Sequence, residues 1–146
     1  MIRRFSFADL TRILEIEQQA FPKSPYDLGT FLNLYWLYPD TFWVYVERTR
    51  GWEEGQIIGY IVFAGDGHII SVAVDPARRR KGIGRTFLKR AMNYPRIGKL
   101  RAEVRVSNKG AQAFYEETGF RVVGSISNYY GDEDALVVEK VVAEKP

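Results

Sequence analysis

The order of apolar and polar positions divides the chain into helical and extended segments. Apolar residues recur at helical spacing over residues 10–21, directly after a capping-box pattern at residues 6–9. A second start signal at residues 24–27 places Pro25 at a first helical position, and it predicts a further helix that ends near residue 37. The first third of the chain is therefore expected to be mainly helical.

Extended segments dominate the remainder. Runs rich in β-branched and aromatic residues, bounded by glycine-containing turns, predict strands, and two later stretches have helical spacing. The predicted strands are residues 2–5, 41–47, 56–63, 68–74, 99–106, 120–126 and 135–142, and the later helices are residues 82–93 and 108–118. The order β-α-α-β-β-β-α-β-α-β-β predicts an α+β fold built on a mixed sheet.

Length and composition narrow the class of protein. The chain has 146 residues, of which 46% are hydrophobic, and this predicts one globular domain spanning residues 1–146. It has no cysteine and one histidine, so a disulfide framework is excluded and no metal site is expected. No apolar run of about 18 residues is present, and we expect a cytoplasmic protein with no membrane partner.

A basic, glycine-containing stretch, RRRKGIGR at residues 78–85, follows the strand predicted for residues 68–74. It is either a solvated run of charge or an anion site in which glycine allows a ligand close to the backbone. Neither a dinucleotide fingerprint nor a P-loop fits, because Phe87 stands where a third glycine is needed and no Gly-Lys-Ser/Thr follows. The net charge is only +3 and the cations cluster in one loop, which favours a small anion over nucleic acid.

The pattern Arg79-x-x-Gly82-x-Gly84 after an Ala-Val strand resembles the acetyl-CoA pyrophosphate loop of the GNAT N-acetyltransferases. Four further motifs resemble the protein N-terminal acetyltransferase branch, which includes bacterial ribosomal-protein alanine acetyltransferases and archaeal N-alpha enzymes. They are the Leu10 to Pro22 segment, Glu103-Val-Arg-Val-Ser-Asn108, Ala113-Phe-Tyr115-Glu-x-x-Gly119-Phe120, and Tyr129-Tyr130 with Glu133-Asp134-Ala135. The resemblance implies a mostly antiparallel sheet of about seven strands with about four helices, and acetyl-CoA as cosubstrate.

The resemblance also implies which residues bind the cosubstrate. The backbone of the strand before the loop would lie alongside the pantetheine arm, as in β-augmentation, and the loop would hold the pyrophosphate. The expected cosubstrate-binding residues are Val72, Ala73, Val74, Arg79, Arg80, Lys81, Gly82, Ile83, Gly84, Arg85, Asn108 and Tyr115.

Three residues are catalytic candidates by the same resemblance. Glu103 would act as base through water, His68 would assist it, and Tyr115 would protonate the leaving thiolate. Each has an alternative interpretation: Glu103 as a surface carboxylate paired with a neighbouring arginine, His68 as a structural histidine, and Tyr115 as a core aromatic. Asn108 could be a simple helix cap.

The resemblance also implies that the acceptor is a protein α-amine and which residues contact it. An α-amine has a pKa of about 7.7–8.0 and a lysine one of about 10.4, so at pH 7 roughly 15% of the former is neutral and a modest base suffices. The expected acceptor contacts are Phe21, Pro22, Tyr26, Tyr129 and Tyr130. A small amine, polyamine or lysine side chain remains an alternative acceptor, and a non-catalytic nucleic-acid or regulatory module is a third interpretation. An auxiliary subunit or a homodimer stays open.

Overall fold

The computed structural model describes residues 1–48, 55–79 and 81–142. Over these ranges the chain has four α-helices and seven strands, which confirms the predicted fold class. It forms two compact units: the first consists of Met1–Ala64 and Ile70–Arg90, and the second of Gly65–Ile69 and Ala91–Pro146. The single domain predicted for residues 1–146 stays a prediction.

The first unit is built on a four-stranded sheet in the order β1-β2-β3-β4. Within this sheet, β1 pairs antiparallel with β2, and β2 pairs antiparallel with β3. The strands are β1 (Ile2–Arg4), β2 (Phe42–Glu47), β3 (Gln56–Phe63) and β4 (Ile69–Val74), and the helices are α1 (Leu10–Ala20), α2 (Leu28–Leu37) and α3 (Ile83–Met92). Ile69 and the last two residues of α3 belong to the second unit.

Aromatic side chains fill the core of the first unit. Phe5 stacks on Phe42 with 4.2 Å between ring centroids, and Phe31 meets the Tyr60 ring edge-on at 5.5 Å. Ile13 on α1 is fully buried in the same cluster. The apolar face predicted for residues 10–21 therefore packs against the sheet. Many of the aromatic residues in the sequence contribute to this core.

The start of α2 differs from the prediction. Asp27 is the N-cap, because its side chain accepts a hydrogen bond from the Thr30 backbone N–H at 2.8 Å. Pro25 is thus not the first helical residue. The preceding residue, Tyr26, is held outside the helix by a hydrogen bond from its backbone N–H to Glu17 Oε2 at 2.8 Å.

The second unit contains an antiparallel three-stranded sheet in the order β5-β7-β6. Its elements are β5 (Lys99–Arg105), α4 (Lys109–Glu117), β6 (Arg121–Ile126) and β7 (Ala135–Val141). Along β5, Leu100, Ala102 and Val104 are buried, whereas the odd-numbered residues 101 to 105 are partly exposed. The strand therefore alternates between a buried face and a partly exposed face, and Glu103 lies on the latter.

A tight turn places the residue before β4 against β5. Gly67 has a φ of +95°, and a Cβ there would lie 1.8 Å from the carbonyl oxygen of Lys99. The Gly67 carbonyl accepts a hydrogen bond from the Arg101 N–H at 3.0 Å, and His68 forms a parallel bridge with Arg101. Only glycine combines this φ with this approach, so the turn fixes the position of His68.

Strand β6 has an unusual surface. All of its residues are exposed, including Val122, Val123 and Ile126, and the pairing register with β7 shifts between Val122 and Gly124. The strand is therefore bulged and carries apolar side chains on its surface. Across the described ranges, no helix has both the length and the apolar character that crossing a bilayer requires.

Candidate functional site

A histidine and a carboxylate form a close pair in the second unit. His68 Nε2 lies 2.7 Å from Glu103 Oε2, and the two side chains retain 23% and 15% of their exposure. The backbone N–H of His68 also donates to Asp66 Oδ1 at 3.1 Å. The turn at Gly67 and the alternation of β5 thus bring together two residues that are 35 positions apart in the sequence.

The pair favours an ionised carboxylate. The hydrogen bond from His68 lowers the pKa of Glu103 below its ordinary value, burial opposes this, and the charge of Arg101 adds to the lowering. Glu103 is therefore an anion at neutral pH. A carboxylate that accepts the Nε2–H of an imidazole leaves the lone pair on Nδ1, which is the nitrogen able to accept a proton.

Tyr115 and Asn108 lie on α4, in the same unit. Asn108 is the N-cap, and its Oδ1 accepts a hydrogen bond from the Ala111 N–H at 3.0 Å, so the helix-cap interpretation is correct and the amide nitrogen remains the group suited to a ligand. Tyr115 is buried against Phe120, with ring centroids 4.9 Å apart. Burial raises the pKa of Tyr115, and the negative charge of Glu103 adds to this, so the phenol keeps its proton at neutral pH.

Arg105 supports the pair of tyrosines. The rings of Tyr129 and Tyr130 meet edge-on at 4.9 Å, and the Arg105 guanidinium lies 4.2 Å from the Tyr130 ring centroid. Arg105 Nη1 also donates to Asp132 Oδ1 and Glu133 Oε1, both at 2.8 Å. Sequence reasoning missed this role, although the alternation of β5 places Arg105 on the same face as Glu103.

The basic loop of the first unit has an open approach to its backbone. Gly82 has a φ of +78°, and a Cβ there would meet no atom within 4 Å. Helix α3 begins at the next residue, with Thr86 N–H donating to the Gly82 carbonyl at 2.9 Å. Arg79 and Lys81 are exposed nearby, whereas Arg80 lies outside the described residues. Open space, a helix N-terminus and cations fit a phosphate-bearing ligand.

Strand β4, which leads to this loop, is the last strand in the order of the four-stranded sheet. Ala73 on β4 is buried, and Val72 and Val74 are half-buried. A strand at the end of a sheet has backbone groups available for an added extended segment. The role expected for β4 toward a pantetheine arm stays a prediction.

The remaining acceptor candidates lie between α1 and α2. Phe21 is half-buried and Pro22 exposed, and Tyr26 packs edge-on against Phe31 with ring centroids 5.9 Å apart. Below them is a buried polar group of Glu17 and Tyr60, which sequence reasoning missed. The sequence does carry a signal for this group, because Glu17 is a carboxylate next to Ile16 within the apolar face of a helix.

Comparison with known proteins shows the family. Residues 10–120 match the model of the acetyltransferase (GNAT) family. An uncharacterised N-acetyltransferase of Methanocaldococcus jannaschii is 39% identical over 96% of this chain and 90% of its own length. The N-alpha-acetyltransferase RimI of Mycobacterium tuberculosis is 32% identical over 84% of this chain and 79% of its own.

A solved structure agrees with this match. The crystal structure of Ard1 from Thermoplasma volcanium superposes with a TM-score of 0.84 at 29% identity, covering 99% of this chain and 98% of the other. The shared architecture thus extends over nearly the whole of both chains.

Proposed function

The chain belongs to the acetyltransferase (GNAT) family, and from this premise we propose that its acceptor is the N-terminal α-amine of a protein. It is an acetyl-CoA-dependent N-acetyltransferase. Similar proteins support the finer assignment, since several of them are named N-alpha-acetyltransferases. The non-catalytic interpretation does not agree with this family membership.

The His68–Glu103 pair is the observation that carries the proposal. Its 2.7 Å contact brings an imidazole and an ionised carboxylate together as a proton acceptor, and an α-amine with a pKa of about 7.7–8.0 needs only a modest base. In the proposed reaction, the pair accepts a proton from the attacking amine, at His68 Nδ1 or through water at Glu103.

Bound acetyl-CoA supplies the thioester whose acetyl carbon the amine attacks and whose C–S bond breaks. Tyr115 is the proposed acid that returns a proton to the departing sulfur. Its pKa is raised mainly by burial, so its phenol is protonated at the pH at which the pair is basic. The acid role thus falls on Tyr115, whose environment keeps it protonated, and the base role on a pair whose carboxylate, Glu103, is kept ionised.

The proposed cosubstrate contacts are the backbone of residues 72–74, the loop from Arg79 to Arg85, and the amide of Asn108. Gly82 allows a pyrophosphate to approach the backbone, and the exposed Arg79 and Lys81 supply positive charge. The proposed acceptor contacts are aromatic and include Tyr26 and Tyr130, which suit a peptide backbone because a tyrosine can pack and hydrogen-bond at once.

The test is a panel of acceptors supplied with acetyl-CoA. We expect acetylation of peptides with a free α-amine, best for small or apolar first residues, and little product from the same peptides with a blocked α-amine and an internal lysine. Faster turnover of the blocked lysine peptide or of spermidine would assign the enzyme to the small-amine or lysine class instead.

A further inference from the structure

Glu17 is a carboxylate in the core of the first unit. The residue is only 2% exposed, and both of its oxygens have partners: the Tyr60 hydroxyl donates to Oε1, and the Tyr26 backbone N–H donates to Oε2 at 2.8 Å. Burial raises the pKa of Glu17, while the hydrogen bonds from Tyr26 and Tyr60 oppose the rise. An apolar residue at this position would avoid the desolvation cost entirely.

The hydrogen bonds continue from Glu17 to β4. The Tyr60 hydroxyl lies 2.9 Å from Ser71 Oγ, and Tyr60 is fully buried on β3. With Ser71 donating to Tyr60 and Tyr60 donating to Glu17, every donor in the series has an acceptor. The series therefore connects the segment between α1 and α2 with the strand proposed to hold the pantetheine arm.

We infer that Glu17 is a positioning residue for the acceptor. It acts indirectly, because it fixes the backbone of Tyr26 relative to β4. Asp27, the residue after Tyr26, is the extended N-cap of α2, so the hydrogen bond from Tyr26 to Glu17 fixes the end of the acceptor segment, residues 21–26, directly before the helix. This role rests on the proposed function, because it concerns the residues assigned to acceptor binding.

The substitution Glu17→Gln tests the inference with little change of shape. An amide has one acceptor oxygen instead of two, so the Tyr26 N–H and the Tyr60 hydroxyl can no longer both donate to residue 17, and one of these two hydrogen bonds is lost or reversed. We expect the KM for a peptide with a free α-amine to rise about tenfold, which is the usual scale for one buried hydrogen bond. The KM for acetyl-CoA should change less than about twofold, and hydrogen exchange at the Tyr26 amide should accelerate.

Asp9→Asn is the matched control, because Asp9 is also a buried carboxylate beside α1. It is 4% exposed and accepts hydrogen bonds from Arg3 at 2.7 and 2.8 Å and from the Ser6 N–H at 2.9 Å. The control should lose stability and keep both KM values. An equal effect of both substitutions on the peptide KM, or an unchanged peptide KM in folded Glu17→Gln, would overturn the inference.

Tyr60→Phe provides a second variant if Glu17→Gln does not fold. It removes only the hydroxyl that joins Glu17 to Ser71, and the peptide KM should again rise while the acetyl-CoA KM does not. Wild-type protein assayed with both peptide and spermidine separates the two hypotheses. If only spermidine reacts, the proposed acceptor class is wrong. In that case a higher KM for spermidine in Glu17→Gln than in the wild type would still support the positioning role, and an unchanged KM for spermidine would reject it.

Discussion

At the scale of single residues, the pair of His68 and Glu103 makes the site sensitive to acid. The pKa of Glu103 is lowered by its neighbour, so the pair stabilises the folded protein above the ordinary carboxyl pKa. That contribution is lost as pH falls through the lowered value. A protonated pair could not accept a proton from the attacking amine.

We predict that His68→Ala and Glu103→Gln each reduce kcat on the order of 10²-fold, the scale of a lost general base. Acetyl-CoA affinity should hardly change, since neither residue is assigned to the cosubstrate. The wild-type rate should decline on the acid side of neutral pH. Steady-state kinetics from pH 5.5 to 8.5, with calorimetry for acetyl-CoA, measures all three quantities.

Lys99→Ala serves as the control for altered charge on β5. Lys99 pairs with Glu139 at 3.3 Å, and its side chain is half exposed, so the substitution should leave kcat unchanged. A His68→Ala protein that folds normally and keeps the wild-type rate would show that the histidine is structural.

At the scale of the elements, much of the secondary structure follows from local pattern. Strand β3 has the predicted bounds, Gln56–Phe63, because a run of β-branched and aromatic residues is flanked by turns. Helix α4 ends at Glu117, one residue before the predicted end at 118, and Gly119 follows with a φ of +94°. The candidate site residues were named from a resemblance to family motifs and stay predictions, and two of them, His68 and Glu103, lie 2.7 Å apart in the structure.

Long-range hydrogen bonds account for what the sequence did not predict. The start signal at residues 24–27 is ambiguous by itself: Asp27 caps α2 through its bond from Thr30, while the residue before it, Tyr26, is bound to Glu17 on α1, nine positions earlier. The contact of Arg105 with Tyr130 depends on how the loop after β6 returns to β5. Such partners are set by tertiary packing, so local spacing carries no signal for them.

The conformation of Gly82 in the basic loop leads to a prediction about acetyl-CoA affinity. Gly82→Val should lower acetyl-CoA affinity at least tenfold, because a branched side chain would occupy the open approach to the backbone and strain a φ of +78°. Isothermal calorimetry on the folded variant measures the affinity.

Gly131→Val is the control for backbone strain. Gly131 has a φ of +85°, and a Cβ there also meets no atom within 4 Å, so the two substitutions cost similar conformational energy. Gly131→Val should retain wild-type acetyl-CoA affinity. Equal losses in both variants would mean that strain, and not a blocked anion site, explains the effect.

At the scale of the whole molecule, the charge is small and concentrated. The net charge of +3 arises from 21 basic and 18 acidic residues, while RRRKGIGR alone holds a dense group of cations. A ligand carrying several phosphates in a small volume is therefore favoured over a long polyanion, which would need positive charge spread over a face.

We predict that acetyl-CoA at about 100 times its Kd raises the melting temperature by roughly 5–10 °C, since binding to the native state alone adds about 2.7 kcal/mol. A duplex DNA oligonucleotide of equal phosphate concentration should give no shift at physiological salt. Differential scanning fluorimetry compares them directly, and stabilisation by DNA alone would contradict the assignment of the loop to a small anion.

Strand β6 has a consequence for the behaviour of the protein in solution. It borders only β7 among the described strands and exposes Val122, Val123 and Ile126, a composition that ordinarily promotes edge-to-edge aggregation. The register shift between Val122 and Gly124 interrupts the regular row of backbone donors and acceptors that an incoming strand would need. The bulge thus works against edge-to-edge association at a strand whose exposed apolar side chains would otherwise favour it.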